Sequence, residues 1–363
     1  MLRRLVALAV LMFAFAPCAF ADNRDAKVPV TIMTQNMDDG TDLTYVIGVL
    51  TGQFPATVGQ AVDLTFAELQ ASNFEGRAKV LAARIAAKKP DLVALQEAVL
   101  WRFGPTPDTA NLPLFDQLGL LQSALEKAGA PYDLVAVQSL NDLALPGDQI
   151  GGALRYTDRN AILARSDLKR PSFSVDHVET NVFAAYLPFT PELNVIAGWI
   201  ALDVHVGGRQ LRLATTHLET PIVGVPEATL VQMAQAQELI DAMQGVMGPV
   251  VICGDFNSDA NHGGFIDDTP TVGLIEAAGY EEVWPATHGR GDLGLTWPFY
   301  LEDQFPAPPF FADSKPFERI DLFFGRGMPA VRSERVIGPV QGHSMPPYAS
   351  DHAGVIATFR FGD

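Results

Sequence analysis

The chain has 363 residues, 48% apolar and 18% charged, with 42 Asp and Glu against 25 Lys and Arg and a formal net charge of −17. That is ordinary globular composition. The charge excludes stable nucleic-acid binding through a basic surface, which is built from Lys and Arg facing phosphates, but not a nuclease whose site is neutralised by divalent cations.

The chain opens with Arg3 and Arg4, runs apolar over residues 5–16 and reaches Ala19-Phe20-Ala21 before Asp22. A basic start, an apolar core and a small-x-small site read as a signal peptide, residues 1–21, cleaved near Ala21. The apolar run is shorter than the roughly 20 residues a membrane span needs, and Pro17 before Cys18 suits a lipoprotein poorly. The expected product, residues 22–363, is secreted or periplasmic, monomeric and two charges more negative. Cys253 is then the one remaining cysteine, so no internal disulfide forms and stability rests on the core.

Strands are predicted at residues 28–36, 91–97, 132–138, 159–165, 195–207, 209–219, 249–257, 319–325 and 352–361, from β-branched and apolar runs closed by turn residues. Gly207-Gly208 joins two of them as a hairpin. Amphipathic helices are predicted at 75–88, 114–128, 226–243 and 271–278. This order suggests two largely antiparallel sheets packed together with helices outside. Residues 37–74, 101–113, 139–158, 181–194 and 296–317 read as long loops, and nothing marks a domain boundary, so one domain over 22–363 is expected.

Strand after strand delivers a hydrogen-bonding or ionisable residue where its apolar run stops. These are Asn36 and Asp38, Gln96 and Glu97, His217, Asp255 and Asn257, Asp321, and Asp351-His352. Each alone has an ordinary explanation: a solvated Glu, an Asn in a turn, a hydrogen-bonded structural His. Cys253, inside an apolar strand, reads as a small buried hydrophobe. In combination and in this order, N-x-D, LQE, THLE, GDFN, RID and SDH resemble the endonuclease/exonuclease/phosphatase superfamily, whose members share the deoxyribonuclease-I-like fold. GDFNSD and SDHAGV are the most specific segments, and the resemblance runs over residues 31–361. It implies an α/β (α+β) four-layered sandwich of two mainly antiparallel β-sheets flanked by helices.

Hydrolysing a phosphate ester needs a nucleophilic water, neutralised phosphoryl oxygens and help for the leaving oxygen. Glu97 is a hard oxygen ligand suited to Mg²⁺. The resemblance implies that it binds the catalytic Mg²⁺ or Mn²⁺, with Ca²⁺ as an alternative structural ion. It gives Asn36 to the phosphate or the metal's water, and Asp38 and Asp351 to metal binding or support of the site. Asp255 is expected to orient and deprotonate the water and Asn257 to donate to the phosphoryl group, their i, i+2 spacing sharing one face if strand geometry persists. His352 and His217 would contact the phosphate, and Asp321 would orient His352. The reverse assignment, His352 as base and Asp255 as support, is equally open.

Beside these, Asn160 matches the family's strand next to the site, Arg159 could meet a phosphate or pair with Asp158, and Tyr156 could stand at a substrate position. His177, His205, His262, His288 and His343 read as solvated. Trp101, Phe103, Phe183, Tyr186, Trp297, Phe299 and Tyr300 suggest packing with a wall or lid over the site. The expected activity is an exported, metal-dependent phosphodiesterase of nuclease type. The alternatives are a sphingomyelinase-like lipid phosphodiesterase touching membranes transiently through segments 297–300 and 305–311, an inositol or nucleotide phosphomonoesterase, and a non-catalytic secreted binding protein. The substrate partner is accordingly a nucleic acid or a phospholipid headgroup.

Overall fold

The computed structural model describes residues 28–168, 173–188, 194–265, 267–289, 291–301, 311–342 and 346–361. Residues 1–21, expected above to be a signal peptide, His343 and most of segment 305–311 lie outside them. The first sheet contains β1 (Pro29–Asn36), β2 (Leu92–Gln96), β3 (Leu100–Gly104), β4 (Leu112–Asp116), β5 (Tyr132–Pro146) and β6 (Ala153–Arg165). The second contains β7 (Ser174–Val182), β8 (Gly198–Val206), β9 (Arg209–His217), β10 (Val250–Asp255), β11 (Glu281–Glu282) and β12 (Asp321–Arg326). The chain returns to the first sheet with β13 (Ala330–Val336) and β14 (Gly354–Arg360).

The first sheet runs β13-β14-β1-β2-β6-β3-β4, with β5 also pairing β6, and the second runs β11-β12-β10-β9-β8-β7. The β1–β2 and β9–β10 pairs are parallel, and every other pair in these two sheets is antiparallel.

Alternation along the strands builds the layers, because successive side chains leave opposite faces. In β2, Leu92 and Ala94 enter the core between the sheets, whereas Val93 and Leu95 meet the outer helices. In β10, Val251 and Cys253 face inward while Val250 and Ile252 face outward. The helices answer with matching stripes. Ala78, Leu81, Ala82 and Ile85 of α3 (Phe74–Lys88) pack on the first sheet beside α4 (Gln117–Lys127). Ala236, Leu239, Ile240 and Met243 of α5 (Pro226–Gln244) pack on the second beside α6 (Thr271–Ala277). The four layers inferred from the resemblance are therefore present.

Each buried aliphatic or aromatic side chain in the middle layer contributes about 1.5–3 kcal/mol, against about 1 kcal/mol for a typical hydrogen bond. Apolar burial thus supplies the adhesion. Polar cross-links such as Gln96 Nε2 to Thr215 Oγ1 at 2.9 Å fix how the sheets are aligned.

Several predicted boundaries change. Residues 112–116 pair with β3 as β4, so the helix predicted from 114 starts at Gln117. The loop at 37–74 contains α1 (Thr44–Leu50) and α2 (Val58–Ala71), and 139–158 is largely the β5–β6 hairpin. β7, β13 and α7 (Val283–His288) carry too little apolar patterning for the sequence reading to find. The Gly207-Gly208 hairpin forms, with both residues at positive φ (60° and 77°). Among the described residues no helix is long and apolar enough to cross a membrane.

Candidate active site

The strand ends converge at one edge of the sandwich, around a cavity of about 360 Å³. The first sheet brings Asn36 at the end of β1 and Glu97 just past β2. Asn36 Nδ2 donates to Glu97 Oε1 at 2.7 Å and, across the gap between the sheets, to Asp255 Oδ2 at 2.9 Å. Glu97 Oε2 accepts from the Asp39 backbone N–H at 2.9 Å. The second sheet brings His217 from β9 beside Asp255 from β10, the two being paired in register. The strands approach closely there. A Cβ on Gly254 (φ 147°) would lie 1.9 Å from the Thr216 carbonyl oxygen, so glycine is required.

Asp255 is the centre of the arrangement. Its Oδ1 accepts from the Asn257 backbone N–H at 2.9 Å. Its Oδ2 lies 3.7 Å from Nε2 of both His217 and His352. His217 Nε2 is also 3.1 Å from Asn257 Nδ2 and 3.8 Å from Glu97 Oε1. His352 Nδ1 meets Asp321 Oδ2 at 2.8 Å, so the imidazole is oriented from behind as expected. The strand geometry assumed for Asp255 and Asn257 does not persist. β10 ends at Asp255 and Asn257 turns at φ 46°, yet both line the cavity.

Asp38 and Asp351 lie at the edge of this group. Asp38 Oδ2 forms an ion pair with buried Arg77 at 3.1 Å and accepts a hydrogen bond from the Tyr300 hydroxyl. Asp351 Oδ2 accepts from Trp297 Nε1 at 2.7 Å, and its Oδ1 is 3.9 Å from His352 Nε2. Two groups of three donor atoms lie within 4.8 Å of one another among the described residues, Glu97/His217/Asp255 and Asp255/Asp321/His352.

Burial sets the electrostatics. It pushes the carboxyls of Glu97, Asp321 and Asp351 up, and Asp38 to about 6 despite Arg77. Burial alone would lower the two histidines, but the surrounding carboxylates outweigh it. Asp255, Glu97 and Asp158 raise His217, and Asp321, Asp351 and Asp255 hold His352 well above its ordinary value.

Other expectations resolve differently. Arg159 faces away from the site, its guanidinium donating to the Ala98 and Val99 carbonyls and to Asp116, not pairing with Asp158. Asn160 is buried, and its Nδ2 donates to Gly198 O at 3.4 Å. Tyr156 lines the cavity but spends its hydroxyl on Asp39 Oδ2 at 2.7 Å. Trp297 lines the cavity, whereas Trp101, Phe183, Phe299 and Tyr300 are buried. Cys253 is fully buried, with its thiol pushed up to about 12. Asp39, Asp158, Glu219 and Asp267 also line the cavity and were not anticipated. Asp39 follows N-x-D and Glu219 closes THLE, so proximity to those motifs was the available signal; Asp158 and Asp267 are placed by topology alone.

The family model for the Endonuclease/Exonuclease/phosphatase family matches residues 60–352. No curated protein matches the chain. Among solved structures, an endonuclease/exonuclease/phosphatase from Beutenbergia cavernae DSM 12333 is similar at TM-score 0.55 and 21% identity, over 92% of this chain and 72% of that one. A family protein from Leptotrichia buccalis is similar at 0.53 and 15%, over 92% and 100%. D. rerio TDP2 complexed with single-strand DNA product is similar at 0.50 and 16%, over 91% and 98%. With the same fold in these structures and the sequence match spanning most of its length, the chain belongs to the endonuclease/exonuclease/phosphatase family.

Proposed function

We propose that the protein is an exported, metal-dependent phosphodiesterase. The family consists of hydrolases acting on phosphate esters. The observation that carries the finer reading is Asp255 Oδ2, held by the Asn36 amide, 3.7 Å from two imidazoles and next to Glu97.

The donors fit a divalent cation. Glu97 offers a hard carboxylate oxygen beside the His217 imidazole nitrogen, with Asp255 next to both. Burial also raises Glu97 as though a positive charge were needed to keep it ionised. Mg²⁺ or Mn²⁺ bound there would supply charge at the phosphoryl oxygens and a more acidic water. The protein's own groups divide the remaining work. Asp255 orients the water and takes its proton as the water oxygen bonds to phosphorus. The bond from phosphorus to the leaving oxygen breaks, and that oxygen takes a proton from solvent. His352, oriented by Asp321 and with acidic neighbours that favour its charged form, faces the phosphoryl oxygens together with Asn257.

The nuclease-type reading draws on the DNA-bound TDP2 of the same fold. The cavity favours a second reading, a diester of low charge. It is lined by nine acidic residues and, among the described residues, by no Lys or Arg. A polyanionic strand or a phosphomonoester is poorly matched to such a wall.

The protein is expected to hydrolyse bis-p-nitrophenyl phosphate with Mg²⁺ or Mn²⁺ and to stop in EDTA. Asp255→Asn and His352→Ala are each expected to lower kcat about 10²–10⁴-fold with an unchanged circular dichroism spectrum. Turnover without metal, or full activity in either variant, would refute the mechanism. Export rests on the leader-like residues 1–21. N-terminal sequencing of protein from the periplasm or medium should begin near Asp22, and cytoplasmic protein retaining Met1 would end that part of the proposal.

A further inference from the structure

Arg77 stands on α3 among residues that pack on the first sheet, and it is only 3% exposed. Arginine is almost never buried so completely unless it is paired. Its guanidinium is spent mostly on backbone. Nε donates to the Ala349 carbonyl at 3.0 Å, 272 residues away along the chain. Nη2 donates to the Met37 carbonyl and, at 2.7 Å, to the Asp38 carbonyl, and it lies 3.1 Å from Asp38 Oδ2. Nη1 donates to Ser72 Oγ, where α2 ends.

The three carbonyls belong to two loops that supply the site. The first, residues 37–39, follows β1, and its Asp39 N–H donates to Glu97 Oε2 at 2.9 Å. The second leads from Ala349 to Asp351-His352. Within it Ser350 Oγ donates to the Asn36 carbonyl at 2.8 Å and accepts from the His352 N–H at 3.0 Å. One guanidinium thus ties the loop that supports Glu97 to the loop that carries His352. A lysine has three donors on a single nitrogen, whereas the guanidinium presents five in a fixed plane and can reach both loops at once. Attaching α3 does not require a charge there, because Ala78, Leu81, Ala82 and Ile85 already bury its inner face. A buried charge is costly unless paired and hydrogen-bonded, so its bonds point to alignment of the two loops.

We propose that Arg77 is a positioning residue, which clips residues 37–39 to residues 349–352 and so sets Glu97 and His352 relative to one another. It acts through these loops and not on the substrate. Its effects on metal binding and rate rest on the phosphodiesterase reading above; its effect on the placement of the loops does not.

Two of the four tryptophans report on the loops directly. Trp101 Nε1 donates to the Asp39 carbonyl at 3.0 Å, and Trp297 Nε1 donates to Asp351 Oδ2 at 2.7 Å. The other two are controls: Trp284 Nε1 donates to the Asp292 carbonyl at 3.1 Å, and Trp199 is buried in the cluster that holds α5. The test is the indole N–H region of a ¹H–¹⁵N spectrum recorded in EDTA, with each signal assigned by a single Trp→Phe variant. Arg77→Lys keeps the charge and loses the fork. It should shift the Trp101 and Trp297 signals and leave those of Trp199 and Trp284 in place. It should also bind Mn²⁺ about tenfold more weakly by calorimetry, and lower kcat on bis-p-nitrophenyl phosphate about 10–100-fold with KM little changed. Unmoved Trp101 and Trp297 signals, or all four moving together, overturn the clip. Native Mn²⁺ affinity and native kcat in Arg77→Lys overturn its role in positioning. If the native protein neither binds Mn²⁺ nor cleaves the diester, the phosphodiesterase reading fails, and the indole signals still decide the clip. Should Arg77→Lys fail to fold, Ser72→Ala removes one partner of the guanidinium more gently. The same two signals should move in it, and their staying in place would overturn the proposal.

Discussion

Asp38, Glu97 and Asn257 stand at φ 60°, 51° and 46°, each just past a strand that leads into the site. A residue other than glycine held there costs on the order of 1–3 kcal/mol. Asp and Asn tolerate this region better than Glu, so Glu97 is the most demanding of the three. Its carboxylate is held by the Asn36 amide and the Asp39 N–H, which keep it in place. Glu219 shows the electrostatic side of the same compromise. It is buried, its Oε2 has no partner, and burial raises its carboxyl to about 7 from 4.5. A raised acid binds its proton more tightly in the folded chain. Its contribution to stability is therefore complete below pH 4.5 and is lost as pH rises through about 7. Glu219→Gln should gain on the order of 3 kcal/mol over the native protein at pH 8 and little at pH 4. Urea unfolding in EDTA at the two pH values checks this, and equal pH dependence in both proteins would disprove it.

At the scale of elements, the sequence was legible where a strand is buried on both faces. β1, β2, β10 and β12 are buried almost throughout and carry apolar runs, and the chemistry at their ends stands out as the place where those runs stop. Edge strands hid themselves. β7 is exposed along nearly all its length and β13 carries Arg332, Glu334 and Arg335, so neither shows an apolar run. α2 had a readable start, because Thr57 and Gln60 form a capping box, but it sits inside a segment that read as one long loop. The same distinction governs the site. Asn36, Glu97, His217, Asp255, Asn257, Asp321 and His352 sit in local motifs and were recoverable. Asp158 has no motif. Only the pairing of β6 with β2, β3 and β5 brings it to the cavity.

For the molecule as a whole, the helices α3 and α5 each belong to one sheet, while the groups proposed to react do not. Asn36, Glu97 and His352 come with the first sheet; His217, Asp255, Asn257 and Asp321 come with the second. The excess of acid on the full chain, −17, is concentrated again in the cavity wall, so added cations should act on the site as well as on the surface.

The Asn36–Asp255 bond, which crosses between the sheets, would make the proposed catalysis a vernier. Two rulers meet across an apolar film, aligned by a few polar bonds, and the proposed reaction would read their offset. A misplacement of about 1 Å can cost roughly a hundredfold in rate, although it barely changes the area buried. Activity should therefore fade at urea concentrations where far-ultraviolet circular dichroism is still native. Coincident loss of both signals would show that the rulers are locked together more tightly than the bonds between them suggest.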